Sequence, residues 1–159
     1  PAMRPGESRD SPLTISIDDR VEAFIASHRV ARLATAGADG KPHVIPICYA
    51  FDGFCLYSAI DQKPKRVAGR RLKRTRNIIA NPKVALLIDD YSEDWSRLAY
   101  VLIQGSAEIL EAGEERHRAE AMLRAKYAQY GALLEAGCLV LKIRPERVTG
   151  WGRIAEGKE

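Results

Sequence analysis

The sequence predicts a small antiparallel β-barrel, closed or split, that is mainly β with flanking helices. Three observations carry this. Two turns, Ala38-Asp39-Gly40 and Phe51-Asp52-Gly53, join consecutive β-rich segments, and Asp-Gly supports the positive φ angles of a tight hairpin. The elements read in order as helix, three strands, basic helix, two strands, helix, strand, with no internal repeat and no strand–helix–strand alternation. Finally, 159 residues of 46% hydrophobic content suit one domain around one core. The expected organisation is an N-terminal arm over 1–17, a barrel domain over 18–152 and a tail over 153–159.

Taken in order, Asp18-Asp19 precedes RVEAFIASH, and an aspartate cap with Val21, Phe24 and Ile25 at helical spacing predicts a helix over Asp19–His28. VARLATA (Val30–Ala36), HVIPICYAF (His43–Phe51) and FCLYSAI (Phe54–Ile60) then predict a three-stranded meander. Pro46 has no N–H to give a ladder, so its strand lies at an edge or bulge. LKRTRNIIANP (Leu72–Pro82) reads as a helix stopped by Asn81-Pro82, with Leu72, Ile78 and Ile79 inward. Lys83–Tyr91 reads as a buried strand and Leu98–Leu110 as a long one bulged at Gly105. After Gly113, residues 114–134 predict one amphipathic helix presenting Ala119, Met122, Leu123, Lys126, Tyr127 and Tyr130. Cys138–Arg144 returns as a strand, and the chain finishes near Trp151.

Charge is unevenly distributed. Asp61–Asn77 (DQKPKRVAGRRLKRTRN) holds eight Lys or Arg against one acid; without it the formal charge turns from +4 to −3. Concentrated like charge suits a polyanionic partner, the alternative being a salt-screened helix face. The segment contains no aromatic residue, whereas single-stranded nucleic acid needs aromatic platforms, so a nucleic-acid partner is not expected. No apolar run approaches the roughly 20 residues of a membrane span, and no charged-then-apolar leader is seen. Cys48, Cys55 and Cys138 are odd in number and include no CxxC; Cys48 and Cys55, in apolar strand-like surroundings, read as buried free thiols, which points to a reducing, cytoplasmic setting. His28, His43 and His117 lack ligand spacing, so no protein-built metal site is expected. Walker A, GxGxxG and GxSxG motifs are absent. Trp95 in SEDWS either covers a flat ligand or plugs the barrel end.

ARLATAGADGKPHVIPICYAF, KPK…RRLKRTRNIIANPKVALLIDDY and DWSRLAYVLIQGSAEIL together resemble the pyridoxamine 5′-phosphate oxidase-like, flavin-binding split-barrel family. More closely, they are similar to its actinobacterial branch that binds the deazaflavin coenzyme F420. The resemblance runs from about Val21 to Trp151. It implies a homodimer of split barrels with a cofactor at the subunit interface and a small-molecule substrate. Carried onto this sequence, it places Ser58, Ala59 and the basic groups Lys63, Lys65, Arg71, Lys73 and Arg74 around the cofactor phosphate and acidic tail. Asn77 would hold the helix to the barrel, His43–Ile47 with Pro46 would line the ring, and Trp95 with Ser96 would close its far side. The implied activity is hydride transfer from reduced F420 to an activated C=C or C=N bond, with Tyr57, His43 or water as proton donor. The alternatives are an FMN-dependent oxidase-like enzyme and a non-catalytic flavin- or haem-binding protein of the same shape.

Overall fold

A computed structural model describes residues 15–60 and 72–154. The elements are α1 (Asp19–Ser27), β1 (Ala31–Ala36), β2 (Pro42–Ile47), β3 (Ala50–Phe51), β4 (Leu56–Ile60), α2 (Lys73–Ala80), β5 (Lys83–Asp90), β6 (Ala99–Leu110), α3 (Glu114–Lys126), α4 (Tyr130–Leu133) and β7 (Leu139–Gly152). A single 3-10 turn, Trp95–Arg97, sits between β5 and β6. Every strand pairing is antiparallel, in one seven-stranded sheet ordered β2-β1-β5-β6-β7-β4-β3.

The sheet curls because one of its faces is apolar along six strands. Leu33, Ile47, Leu56, Ile60, Leu86, Ile88, Val101, Ile103, Leu141 and Ile143 belong to one buried cluster, although β1 and β4 lie four places apart in the sheet. Such residues meet only if the sheet wraps around them, and alternation along each strand puts them all inside. α1 closes one end with Phe24 and Ile25, its start capped by Asp18, which accepts from the Arg20 N–H at 2.8 Å. The outer face of β4 and β7 is covered by α3, where Tyr57, Ala59 and Val140 meet Ala119, Leu123 and Tyr127.

Two glycines behave as the hairpin reading requires: Gly40 and Gly53 take φ of 72° and 92°. The register shifts at Gln104/Gly105, where a Cβ on Gly105 would meet the Arg144 carbonyl oxygen at 2.1 Å. The bulge therefore requires glycine on β6, and Pro145 faces it on β7, where no ladder N–H is needed.

Four expectations are corrected. His43–Phe51 is not one strand of a meander. It breaks at Cys48–Tyr49, so β2 pairs with β1 at one edge of the sheet while β3 pairs with β4 at the other. Side chains satisfy the broken backbone: the Tyr49 N–H donates to the Tyr127 hydroxyl at 2.9 Å, and Ser58 Oγ donates to the Cys48 carbonyl at 2.7 Å. Residues 114–134 form two helices, because Tyr127 leaves helical backbone (φ −116°, ψ 108°) to bring its hydroxyl to that break. Ile79 is 69% exposed; Thr75 and Asn77 take the inward face of α2. Finally, β5 is buried on one face alone, its pattern alternating from Val84 to Ile88 with Leu87 exposed.

Candidate functional site

The split in the barrel lies between β2 and β4. β2 is an edge strand, with Val44 and Pro46 exposed and His43, Ile45 and Ile47 turned inward. Pro46 fits there because an edge strand has one row of N–H groups to spare. β4 is covered by β3 at Leu56 and Tyr57, whereas Ser58–Ile60 pair with β7 alone. Two backbone edges are thus left open near the Cys48–Tyr49 crossing that joins them.

α2 stands beside this split, against β1. Among the described residues its N-terminus has no side-chain cap, and its first turn has no acidic residue and instead holds Lys73 and Arg74. Unpaired N–H groups, the helix dipole and these cations all favour an anion at that end. Asn77, 2% exposed, donates from Nδ2 to Thr35 Oγ1 at 3.0 Å and ties α2 to β1. Gly37 leaves the room, since a Cβ there would stand 2.9 Å from Asn77 Oδ1. His43 is the β2 partner of Thr35. Its Nδ1 and the Thr75 Oγ1 are buried side-chain polar atoms with no partner among the described residues. A buried hydroxyl and a buried imidazole nitrogen without partners are costly unless something else meets them.

The remaining site candidates are dispersed. Ser58 is 4% exposed and shares the barrel face of β4 with Leu56 and Ile60, its hydroxyl committed to the Cys48 carbonyl. Ala59 faces the opposite way, under α3. Tyr57 is 1% exposed under α3 and donates to Glu115 Oε1 at 2.8 Å. Burial and Glu115 push its hydroxyl well above the ordinary tyrosine range, while Lys142 holds the Glu115 carboxyl low. Trp95 is 73% exposed and so does not plug the barrel, which corrects that reading; Asp94 orders its turn by accepting from Ser96 N and Oγ at 3.1 and 2.7 Å. Lys63, Lys65 and Arg71 lie outside the described residues. Thr35 and Thr75 escaped the sequence reading. Thr75 was within reach of it, being three residues from both Leu72 and Ile78 on the same helical face.

No group of three or more His, Cys, Asp or Glu residues able to hold a metal occurs among the described residues, and none of their helices is long and apolar enough to cross a membrane. The family model described as pyridoxamine 5′-phosphate oxidase matches residues 17–152. A curated relative from Streptomyces rimosus, 5a,11a-dehydrotetracycline/5a,11a-dehydrooxytetracycline reductase, is 29% identical over 136 residues, covering 81% of this chain and 78% of that protein. Among solved structures, a conserved hypothetical protein from Mycobacterium tuberculosis superposes with a TM-score of 0.68 at 23% identity, covering 88% of each chain. The haem storage protein HutZ from Vibrio cholerae gives a TM-score of 0.67 at 14% identity, over 87% of this chain and 95% of that one. Both structural likenesses speak to the fold alone.

Proposed function

Because the chain belongs to the pyridoxamine 5′-phosphate oxidase family, we propose that it is an oxidoreductase that uses reduced coenzyme F420 to reduce an activated C=C or C=N bond of a small or medium organic molecule. The observation that carries this is the first turn of α2: without an acid, bearing Lys73 and Arg74, and, among the described residues, without a side-chain cap and beside a buried Thr75 hydroxyl that has no partner. The segment leading into it is rich in Lys and Arg, which suits a phosphodiester with an acidic tail better than one phosphate. The Streptomyces rimosus relative, named as a reductase of 5a,11a-dehydro compounds, supports C=C reduction.

When bound, the coenzyme supplies the hydride chemistry. The chain's own residues bind and orient. Lys73 and the α2 N–H groups take the anionic end, and Thr75 Oγ1 and His43 Nδ1 offer buried polar contacts toward the split. The open edge of β2 around Pro46 lines the flat ring, which the exposed Trp95 covers. Tyr57 is already engaged by Glu115, which leaves His43 or water to deliver the proton.

The site is completed by a second copy. Among the described residues the outer face of β2-β1-β5-β6 carries no helix, and register places Pro46, Arg32, Leu87 and Leu102 in one row across it. Val44 (61%) and Trp151 (52%) are exposed on the same outer surface. A sheet face of this kind stays out of water when another surface covers it.

The test is a titration of F420 and of FMN, read by quenching of Trp95 and Trp151 in low and moderate salt. Tighter binding of F420, weakened by salt, is expected; preference for FMN by more than about tenfold overturns the choice of cofactor. Oxidation of reduced F420 with a panel of enones tests catalysis, and silence across the panel favours a binding protein. Light scattering should give twice the chain mass.

A further inference from the structure

We propose that the cleft between the ends of α1 and α3 is a second binding site, which takes a carboxylate- or phosphate-bearing small molecule between Arg29 and Lys126. This site does not depend on the cofactor reading. The cleft, about 550 Å³, is lined by Arg29, Cys48, Lys126, Tyr127, Gln129 and Tyr130. Among the described residues its walls carry two cationic side chains and no carboxylate.

Neutral groups hold both cations. Arg29 Nη1 donates to the Lys126 carbonyl at 2.6 Å, and its guanidinium lies 5.6 Å from the centroid of the Tyr127 ring. Lys126 Nζ donates to the His28 carbonyl at 2.5 Å and sits 4.1 Å from the Tyr49 ring centroid. Two acids of the neighbouring elements are engaged away from the cleft. Glu120 on α3 accepts from Arg116 and Arg124, and Asp90 meets the His28 ring. Burial first, and the like charge of Arg29 second, draw the Lys126 ammonium down to about 8. With no counter-charge among the described residues, the partly buried Lys126 ammonium is poorly solvated and repelled by Arg29. An anion offsets both effects, and the guanidinium fork matches the spacing of carboxylate or phosphate oxygens. Because backbone carbonyls and aromatic rings already anchor the heads, little side-chain entropy is lost when an anion arrives.

Inorganic phosphate, glutarate and triglutamate, titrated into the full chain by calorimetry, test the site. In parallel, the Lys126 amine is followed by NMR after reductive ¹³C-methylation. At least one probe should bind saturably and raise the amine pKa by about one unit. Lys126→Met, which keeps the stem over Tyr49 but removes the charge, should weaken binding about tenfold or more. Arg29→Gln, a change at an exposed side chain, should act in the same direction and serves alone if the Lys126 variant fails to fold. Phosphate preference assigns the site to free phosphorylated molecules, and triglutamate preference to an acidic tail; both support it. The proposal is overturned if no probe binds saturably, or if neither substitution changes the affinity.

Discussion

The Tyr127 hydroxyl accepts the backbone N–H of Tyr49 at 2.9 Å, across 78 residues of sequence, and lies 2.6 Å from the Arg29 carbonyl it donates to. One side chain at the end of α3 thus satisfies the backbone where the chain passes from one sheet edge to the other. Tyr127→Phe keeps the ring and removes the hydroxyl, leaving the buried Tyr49 N–H and the part-buried Arg29 carbonyl without this partner. The expected cost is about 1–3 kcal/mol, seen as a melting point lower by roughly 2–12 °C. An unchanged melting point would mean that water replaces the hydroxyl there.

Gly105→Ala should be severe. Its Cβ would stand 2.1 Å from the Arg144 carbonyl oxygen, and both strands at this bulge are backbone-paired, so neither side has a flexible end to move. A loss of about 3 kcal/mol or more is expected, measured by urea unfolding. Gly40→Ala makes a useful comparison, since it meets nothing within 4 Å and strains φ alone.

Glu120 gives the protein an acid limb. Its carboxyl accepts from Arg116, whose side chain is 4% exposed, and from Arg124. Arg116 first, then Arg124, hold its pKa below the ordinary 4.5 despite opposing burial. Around that pH the unfolded chain binds the extra proton, so stability rises with pH. The contribution is complete above about 4.5 and is lost as pH falls through the folded value. Glu120→Gln should cost about 3 kcal/mol at neutral pH, a deficit that shrinks toward acid when the two unfolding curves are compared.

Lys126 shifts stability in the same direction, but in alkali. Its folded pKa, about 8, lies below the ordinary 10.5, so between these values the unfolded chain holds more protons and stability climbs with pH. Tyr49 and Tyr57, both raised well above 10 by burial, oppose this once unfolded tyrosine ionises. The partly buried thiols of Cys55 and Cys138, raised above 9.0, and the Tyr127 hydroxyl, raised to about 12, also oppose it. The slope of stability against pH between about 8 and about 10 should therefore be more positive in the unaltered chain than in Lys126→Met, and equal slopes would remove the role given to Lys126.

Lys73→Glu separates stability from binding by sign. An acid in the first turn of α2 complements the helix dipole and should raise stability by about 0.3–1 kcal/mol. The same change should weaken binding of F420 by about tenfold or more. Parallel loss of both would show that Lys73 acts on the fold rather than on an anion.

Much of the barrel could be read in the sequence because strand alternation and Asp-Gly turns are local signals. The bulge at Gly105 and the edge position of Pro46 followed from the chemistry of single residues. The break at Cys48–Tyr49 did not, since nothing within HVIPICYAF announces it; its partners Tyr127 and Ser58 arrive from elsewhere in the chain. Ile79 was turned the wrong way because Asn77 fixes α2 against Thr35, a polar contact that hydrophobic spacing does not weigh. Likewise, the apolar run in β5 concealed an outward Leu87. The cationic turn of α2 was visible as composition, whereas the Arg29–Lys126 cleft joins residues 97 apart and carries no sequence pattern.

The final strand has a consequence for biosynthesis. β7 lies between β6 and β4, so every shorter nascent chain presents two facing ribbons with nothing to zip between them. Until residue 152 has left the ribosome, the amino-terminal hairpins wait with their oily sides showing. Newly made protein should accordingly lean on chaperones until β7 has emerged and paired.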